Sequence, residues 1–125
     1  MNTTVLERFE RARAVLLTTY KRSGTSVATP LWGYLDGRTY YVTTGNSSWK
    51  VKRLRTNPSV LLAPCNQRGK ITGEEVAGTA RILNEDETAK VLARKKRRYP
   101  VMSLIHLLPN RGAENSVGIA IELSL

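Results

Sequence analysis

The stretch AVLLTTYKRSGTSVATPLWGYLDGRTYYVTT, residues 14–44, decides the fold of this chain. It begins with Ala14–Tyr20, an apolar and β-branched segment of the kind that favours a β-strand. The turn-forming residues Lys21–Gly24 follow directly, and the chain then returns in a second predicted strand over Thr25–Leu35. This pattern predicts an antiparallel hairpin at the start of the domain.

The same stretch continues into a second hairpin. Asp36–Gly37 indicates a type I′ turn, because that turn needs a positive φ at both central positions. Arg38–Thr44 is dense in Tyr, Val and Thr and is predicted to be the third strand. Further along the chain, three more strands are predicted at Ser59–Cys65, Glu74–Leu83 and Asn115–Leu123. Six strands with mostly tight connections predict a mainly β fold, a closed antiparallel barrel with short helices.

The helical signals are short and lie between these strands. Asn84 and Glu87 have the spacing of a capping box, and the helix that they open carries acids at its start and bases at its end. Pro100 interrupts the pattern, and a mostly apolar segment follows it. The predicted helices cover residues 4–13, 48–56, 84–99 and 101–108.

Size and composition limit what the protein can be. A chain of 125 residues has the usual size of one domain, so a single domain over residues 1–125 is expected. The formal net charge of +10 favours anionic partners, namely nucleic acid, acidic lipid or phosphate-bearing small molecules. The single cysteine, Cys65, has no metal-site spacing, and no metal site is predicted. No apolar run reaches about 20 residues, so we expect no membrane span, and Met1–Arg13 lacks the apolar region of a secretory signal. A single cysteine cannot form an internal disulfide, which fits the reducing cytoplasm, and a cytoplasmic location is expected.

The segment Ser47–Arg55 is the most informative candidate site. Its predicted helix opens with Lys50 and Lys52 near the first turn, where the helix dipole disfavours cations. A bound anion would compensate these charges, because the free amides of a helix start attract negative groups. The alternative is a solvated basic face with Val51 and Leu54 turned to the core.

Thr29-Pro30-Leu31-Trp32 is the second candidate. Proline cannot donate to a sheet ladder, so Pro30 predicts a strand edge or a bulge. A heteroaromatic ligand could meet free backbone groups there, with Trp32 beside it. An edge strand with a core tryptophan is the alternative.

Taken together, these residues resemble a known family over Thr4 to Leu123. The residues that carry the resemblance are Leu17-Thr-Thr-Tyr, Gly24–Trp32, Asp36-Gly-Arg, Tyr41–Gly45, Lys50–Pro58, Ala63-Pro-Cys, Gly69, Gly73 and Gly78-Thr-Ala-Arg. In their order and spacing they are similar to the split β-barrel, pyridoxamine-phosphate-oxidase-like flavin and deazaflavin oxidoreductases, whose fold is that of FMN-binding proteins. Within that family the chain looks closest to the branch that depends on coenzyme F420.

The resemblance implies a six-stranded split barrel that forms a homodimer, with the cofactor at the subunit interface. It assigns the cofactor phosphate to Lys50, with Ser48 and Lys52 nearby. The chain of the cofactor would lie along Thr43 and Thr44. The ring would be bordered by Thr29, Pro30 and Trp32.

The function that the resemblance implies is hydride transfer from reduced coenzyme F420 to a small unsaturated or aromatic substrate. FMN is the alternative cofactor, and a non-enzymatic flavin or haem carrier is the alternative class. No catalytic side chain is assigned, although His106 and Tyr99 are titratable. Nucleic-acid binding through Arg94–Arg98 is disfavoured, because the strands carry no aromatic stacking platform and a solvated helix end explains those charges.

Overall fold

The structure is a computed structural model that describes residues 2–12, 14–45, 49–66, 68–98 and 116–125. Ser48, Tyr99, His106 and the predicted helical piece 101–108 lie outside the described residues. Three helices and seven strands are found in the described part of the chain. In chain order they are α1 (Asn2–Arg11), β1 (Ala14–Tyr20), β2 (Ser26–Leu31), β3 (Gly33–Asp36), β4 (Thr39–Gly45), α2 (Trp49–Thr56), β5 (Ser59–Cys65), β6 (Val76–Ile82), α3 (Glu85–Arg98) and β7 (Ser116–Leu123).

The seven strands form one antiparallel sheet in the order β2-β1-β5-β6-β7-β4-β3. Its two outermost strands, β2 and β3, are consecutive in the chain and are separated by Trp32 alone. One residue cannot bridge the width of a flat seven-stranded sheet, since adjacent strands are about 4.8 Å apart. The sheet therefore curls until its edges meet at the seam, Leu31–Gly33. The prediction of a mainly β, barrel-like fold is confirmed, although the sheet has seven strands instead of the six that were predicted.

The extra strand arises because the predicted strand Thr25–Leu35 is divided at Trp32. Before the seam, Leu31 pairs with Val15 of β1, and after it Gly33 pairs with Val42 of β4. The chain stays extended while it changes partners. The alternation of side chains in the sequence indicates only that the chain is extended. It does not show which strand the chain pairs with, so the division at Trp32 could not be predicted.

The second hairpin turns one residue later than predicted. Asp36 is still paired with Thr39, so the two-residue loop is Gly37-Arg38. Gly37 has a φ of 66° and supplies the positive φ that both primed turn types need at the first central position. The hairpin is confirmed, but the placement of its central residues at Asp36–Gly37 is wrong.

The core fills the inside of the curled sheet. Phe9 of α1 is fully buried, and its ring centroid lies 6.1 Å from that of Tyr40 in β4. Leu54 of α2 enters the same cluster, which also contains Leu17 of β1 and Ile119 of β7. Burying each such side chain contributes about 1.5–3 kcal/mol, so apolar packing fixes both helices against the barrel.

The third helix, α3, lies against the outside of the sheet over β7, β4 and β3. Its predicted capping box is confirmed: the Glu87 N–H donates to Asn84 Oδ1 at 2.8 Å, and the Asn84 N–H donates to Glu87 Oε1 at 3.2 Å. On the buried face, Thr88 Oγ1 accepts a hydrogen bond of 2.9 Å from the Gly118 N–H. These contacts fix where α3 begins and where it lies along β7.

Candidate functional site

The predicted site residues of β4 and the seam meet at one end of the barrel. Gly33 pairs with Val42, and Trp32 and Thr43 are the residues that directly adjoin this pair, Trp32 before Gly33 and Thr43 after Val42. On its other side, Thr43 pairs with Gly118 of β7. The sheet thus brings the seam and the end of β4 to the same end of the barrel.

Thr43 and Thr44 lie on opposite faces of β4. Thr44 shares the core-facing side with Tyr40 and Val42, since side chains alternate along a strand. Thr43 faces α3, where its Oγ1 accepts a 2.7 Å hydrogen bond from Lys95 Nζ. The prediction that both hydroxyls line one cofactor chain stays a prediction, and it would need the ligand to cross the end of the strand.

The residues of β2 also divide by face. Thr29 is half-buried and pairs with Leu17, whereas Pro30 is exposed and pairs with Leu16. β2 is an outermost strand of the sheet, so the edge predicted from Pro30 is confirmed. Trp32 is half-buried at the seam. Whether these residues border a cofactor ring stays a prediction.

The helix α2 carries the predicted phosphate ligand. Val51 and Leu54 are buried, which leaves the cations on the flanks and the outer face. Lys50 is half-buried, and its ammonium makes no hydrogen bond or ion pair with any other residue that the structure describes. The first turn contains no acid. A half-buried ammonium next to a helix start is therefore free to meet an anion.

An open cleft of about 500 Å³ lies between the β1–β2 hairpin and α2, and Lys50 is not among the residues that line it. Its lining residues are Tyr20, Lys21, Arg22, Trp49, Lys52, Arg53 and Thr56. Four of these are cations and none is acidic. Trp49 is 70% exposed, and Lys52 Nζ lies 4.5 Å from the centroid of its ring. The cleft thus combines positive charge with aromatic surface.

Arg53 is held in place within this cleft. Its Nε donates a 2.9 Å hydrogen bond to Oγ1 of Thr19, which is only 1% exposed. A guanidinium fixed through Nε keeps its other N–H groups for an oxyanion such as a carboxylate or a phosphate. Sequence reasoning did not assign Arg53 or Trp49. The signal was available, because residues 49, 52, 53 and 56 share one face of a helix.

Lys95 is a second feature that the sequence did not single out. It stands in the basic end of α3, yet it is only 5% exposed. Desolvation by burial lowers the pKa of Lys95 to about 8. Its position three residues after Leu92 and four after Val91, both buried, was the available signal that it faces the sheet.

The described part of the chain contains few other groups that could be reactive or bind a metal. The Cys65 thiol is buried, and desolvation raises its pKa, which makes it less reactive. The described residues contain no group of three potential metal ligands. They also contain no helix that is long and apolar enough to cross a membrane.

Comparison with known proteins identifies what the chain is similar to. The family described as pyridoxamine 5′-phosphate oxidase matches residues 1–122. A search of curated proteins gives no match.

Among solved structures, a candidate pyridoxamine 5′-phosphate oxidase from Listeria innocua is 18% identical, with a TM-score of 0.74 over 99% of this chain and 94% of that one. An F420 reductase is 21% identical, with a TM-score of 0.71 over 95% and 92%. The haem storage protein HutZ from Vibrio cholerae is 12% identical, with a TM-score of 0.71 over 98% and 89%. Likeness at these identities shows the fold alone.

Proposed function

Because the chain belongs to the pyridoxamine 5′-phosphate oxidase family, whose members are split β-barrels, we propose that it is a coenzyme F420-dependent oxidoreductase. It transfers a hydride from the reduced deazaflavin to a small unsaturated or aromatic substrate. It acts as a cytoplasmic homodimer with the cofactor at the subunit interface. FMN is the alternative cofactor.

The observation that carries this proposal is the cationic cleft beside α2. Lys21, Arg22, Lys52 and Arg53 line it without a carboxylate, and Arg53 is fixed by Thr19. A single phosphate needs fewer cations than this surface offers. A ligand with a phosphate and a tail of carboxylates fits the whole surface, since each anionic group finds a partner. Coenzyme F420 has that chemistry, whereas FMN has only the phosphate.

The types of side chain present suit the chemical groups of the cofactor. Lys50 would hold the phosphate at the start of α2, with Lys52 and Ser48 nearby, and Arg53 would take a tail carboxylate. Thr43 and Thr44 would contact the chain of the cofactor, and Thr29, Pro30 and Trp32 would border its ring. When bound, the deazaflavin supplies the hydride, while the protein binds it, orients it and shields it from water.

Parallel fluorescence titrations of the purified protein with coenzyme F420 and with FMN test the cofactor. We expect tighter binding of coenzyme F420. Tighter binding of FMN would overturn the choice of cofactor. Binding of coenzyme F420 without reduction of any compound in a panel of unsaturated and aromatic substrates would favour a carrier, and a Soret band in the purified protein would favour haem.

Variants separate the phosphate site from the tail site. Lys50→Ala should weaken both cofactors about tenfold or more, because each carries a phosphate. Arg53→Ala should weaken coenzyme F420 more than FMN. Lys70→Ala is the matched control, since Lys70 is an exposed lysine in the loop after β5 and should leave both affinities unchanged. Unchanged affinity in Lys50→Ala would remove its phosphate role.

A further inference from the structure

Lys95 is a buried cation with no anionic partner among the residues that the structure describes. Only 5% of Lys95 is exposed, and its one hydrogen bond within the described residues is the 2.7 Å contact with Thr43 Oγ1 of β4. Two acids on β3 and α3 are each paired with another cation. Asp36 is paired with Arg94 at 2.6 Å, and Glu87 with Arg81 at 3.1 Å.

Packing alone does not account for a lysine at this position. Its neighbours on the buried face of α3 are Val91 and Leu92, and an apolar side chain would continue that stripe. Burying an ammonium has a large desolvation cost, which one neutral hydroxyl offsets only in part. Residues that lower stability in this way are expected where function requires them.

The direction of the hydrogen bond shows what the lysine does to its partner. An ammonium has three donors and no acceptor, so Thr43 Oγ1 must accept from it. The hydroxyl proton of Thr43 is then available only to a second acceptor. Thr43 is half-buried near the end of β4, one residue beyond the Gly33–Val42 pair of the seam. Lys95 thus fixes Thr43 as a donor at the edge of the candidate site.

We propose that Lys95 is a positioning residue that holds the Thr43 hydroxyl as a hydrogen-bond donor to an oxygen of the cofactor's hydroxylated, phosphate-bearing chain. This proposal rests on the proposed function, because it takes that chain as the ligand at the end of β4. Lys95 acts through Thr43 and does not itself touch the ligand. The pair selects oxygen acceptors at this point and disfavours ligands that present an N–H group there.

A double-mutant cycle on cofactor affinity tests the proposal. Lys95→Met and Thr43→Val should each raise the Kd of the cofactor that binds the wild type, coenzyme F420 or FMN, about tenfold. The double variant should be no weaker than either single variant, because both remove the same directed donor. Lys96→Met, at the exposed neighbouring lysine, is the control and should leave the Kd unchanged.

Thermal stability and pH provide readouts that a structural role would not produce. Lys95→Met should raise the melting temperature while it weakens binding. The wild-type affinity should fall as the pH rises from 7 to 9, because the ammonium loses its proton, and Lys95→Met should lack this fall. The titratable groups on the strands packed against α3 are Tyr34, Asp36, Tyr40, Tyr41 and Glu122. All five remain in the variant, so the difference between the two pH profiles belongs to Lys95.

Three results would overturn the proposal: losses that add in the double variant, an unchanged Kd in Lys95→Met, or a lower melting temperature with intact binding. If Lys50→Ala abolishes binding while Lys95→Met does not affect it, only the role of Lys95 fails. If the wild type binds neither cofactor, the proposed function fails, and the role of Lys95 fails with it.

Discussion

Gly33 is the residue at which the closure of the barrel depends on a missing side chain. A Cβ at this position would lie 2.0 Å from the carbonyl oxygen of Tyr41 and 2.7 Å from the ring of Tyr40. The carbonyl belongs to the paired strand, so it cannot move away without breaking the ladder at the seam. Gly33→Ala should therefore lower the free energy of unfolding by about 3 kcal/mol or more, measured by urea denaturation.

Gly45, the last residue of β4, which pairs with Ser116 of β7, provides the matched control. No heavy atom lies within 4 Å of a Cβ built there. Gly45→Ala should change the free energy of unfolding by less than about 1 kcal/mol. Equal stability of the two variants would show that the strands at the seam are not held as closely as the structure describes.

At the residue scale, the sequence revealed charge but not burial. Lys50 could be singled out because a cation at a helix start conflicts with the dipole, and that conflict is visible in the letters. Lys95 stands among the bases that complement the dipole of α3, so its charge looked ordinary. Lys95 is buried against the sheet, whereas its neighbour Lys96 is exposed to solvent.

At the scale of the element, α3 should respond to pH through Lys95. Burial lowers the pKa of Lys95 to about 8, from an ordinary 10.5. Between these values the unfolded chain holds a proton that the folded chain has lost, so raising the pH in this window favours the folded state. The free energy of unfolding of the wild type should gain about 2–3 kcal/mol between pH 7 and pH 10 relative to Lys95→Met.

Guanidinium denaturation of both proteins at pH 7 and pH 10 measures this gain. The other groups that titrate in this range are common to the two proteins, so their contributions cancel in the difference. A constant difference between the two proteins would mean that Lys95 is as well solvated in the folded state as in the unfolded one.

The elements themselves could be predicted wherever the signal is local. The strands β1 and β5 and the capping box of α3 coincide with their sequence patterns. The turn at Gly37-Arg38 and the division at Trp32 could not be placed, because each depends on which strand is the partner. Periodicity fixes the face of a residue, but the register across the sheet is decided by tertiary packing.

At the scale of the whole molecule, the net charge of +10 gives the salt dependence of ligand binding a definite sign. Salt screens attraction between exposed charges, with a Debye length of about 30 Å at 0.01 M and about 3 Å at 1 M. The cations of the cleft therefore attract an anionic ligand most strongly at low salt. A ligand with more anionic groups loses more affinity when salt is added.

We expect the Kd of coenzyme F420 to rise more steeply with salt than that of FMN. Fluorescence titrations between 0.05 and 0.5 M salt measure this, because the Debye length falls from about 14 Å to about 4 Å over that range. Replacing Lys21 and Arg22 together by alanine should flatten the slope for coenzyme F420, because both line the cleft. The same change at Lys96 and Arg97, which are exposed on α3, should leave the slope nearly unchanged, since screening confines the effect of a charge to its surroundings. Parallel slopes for the two cofactors would mean that only the phosphate, and not the carboxylate tail, meets the basic surface.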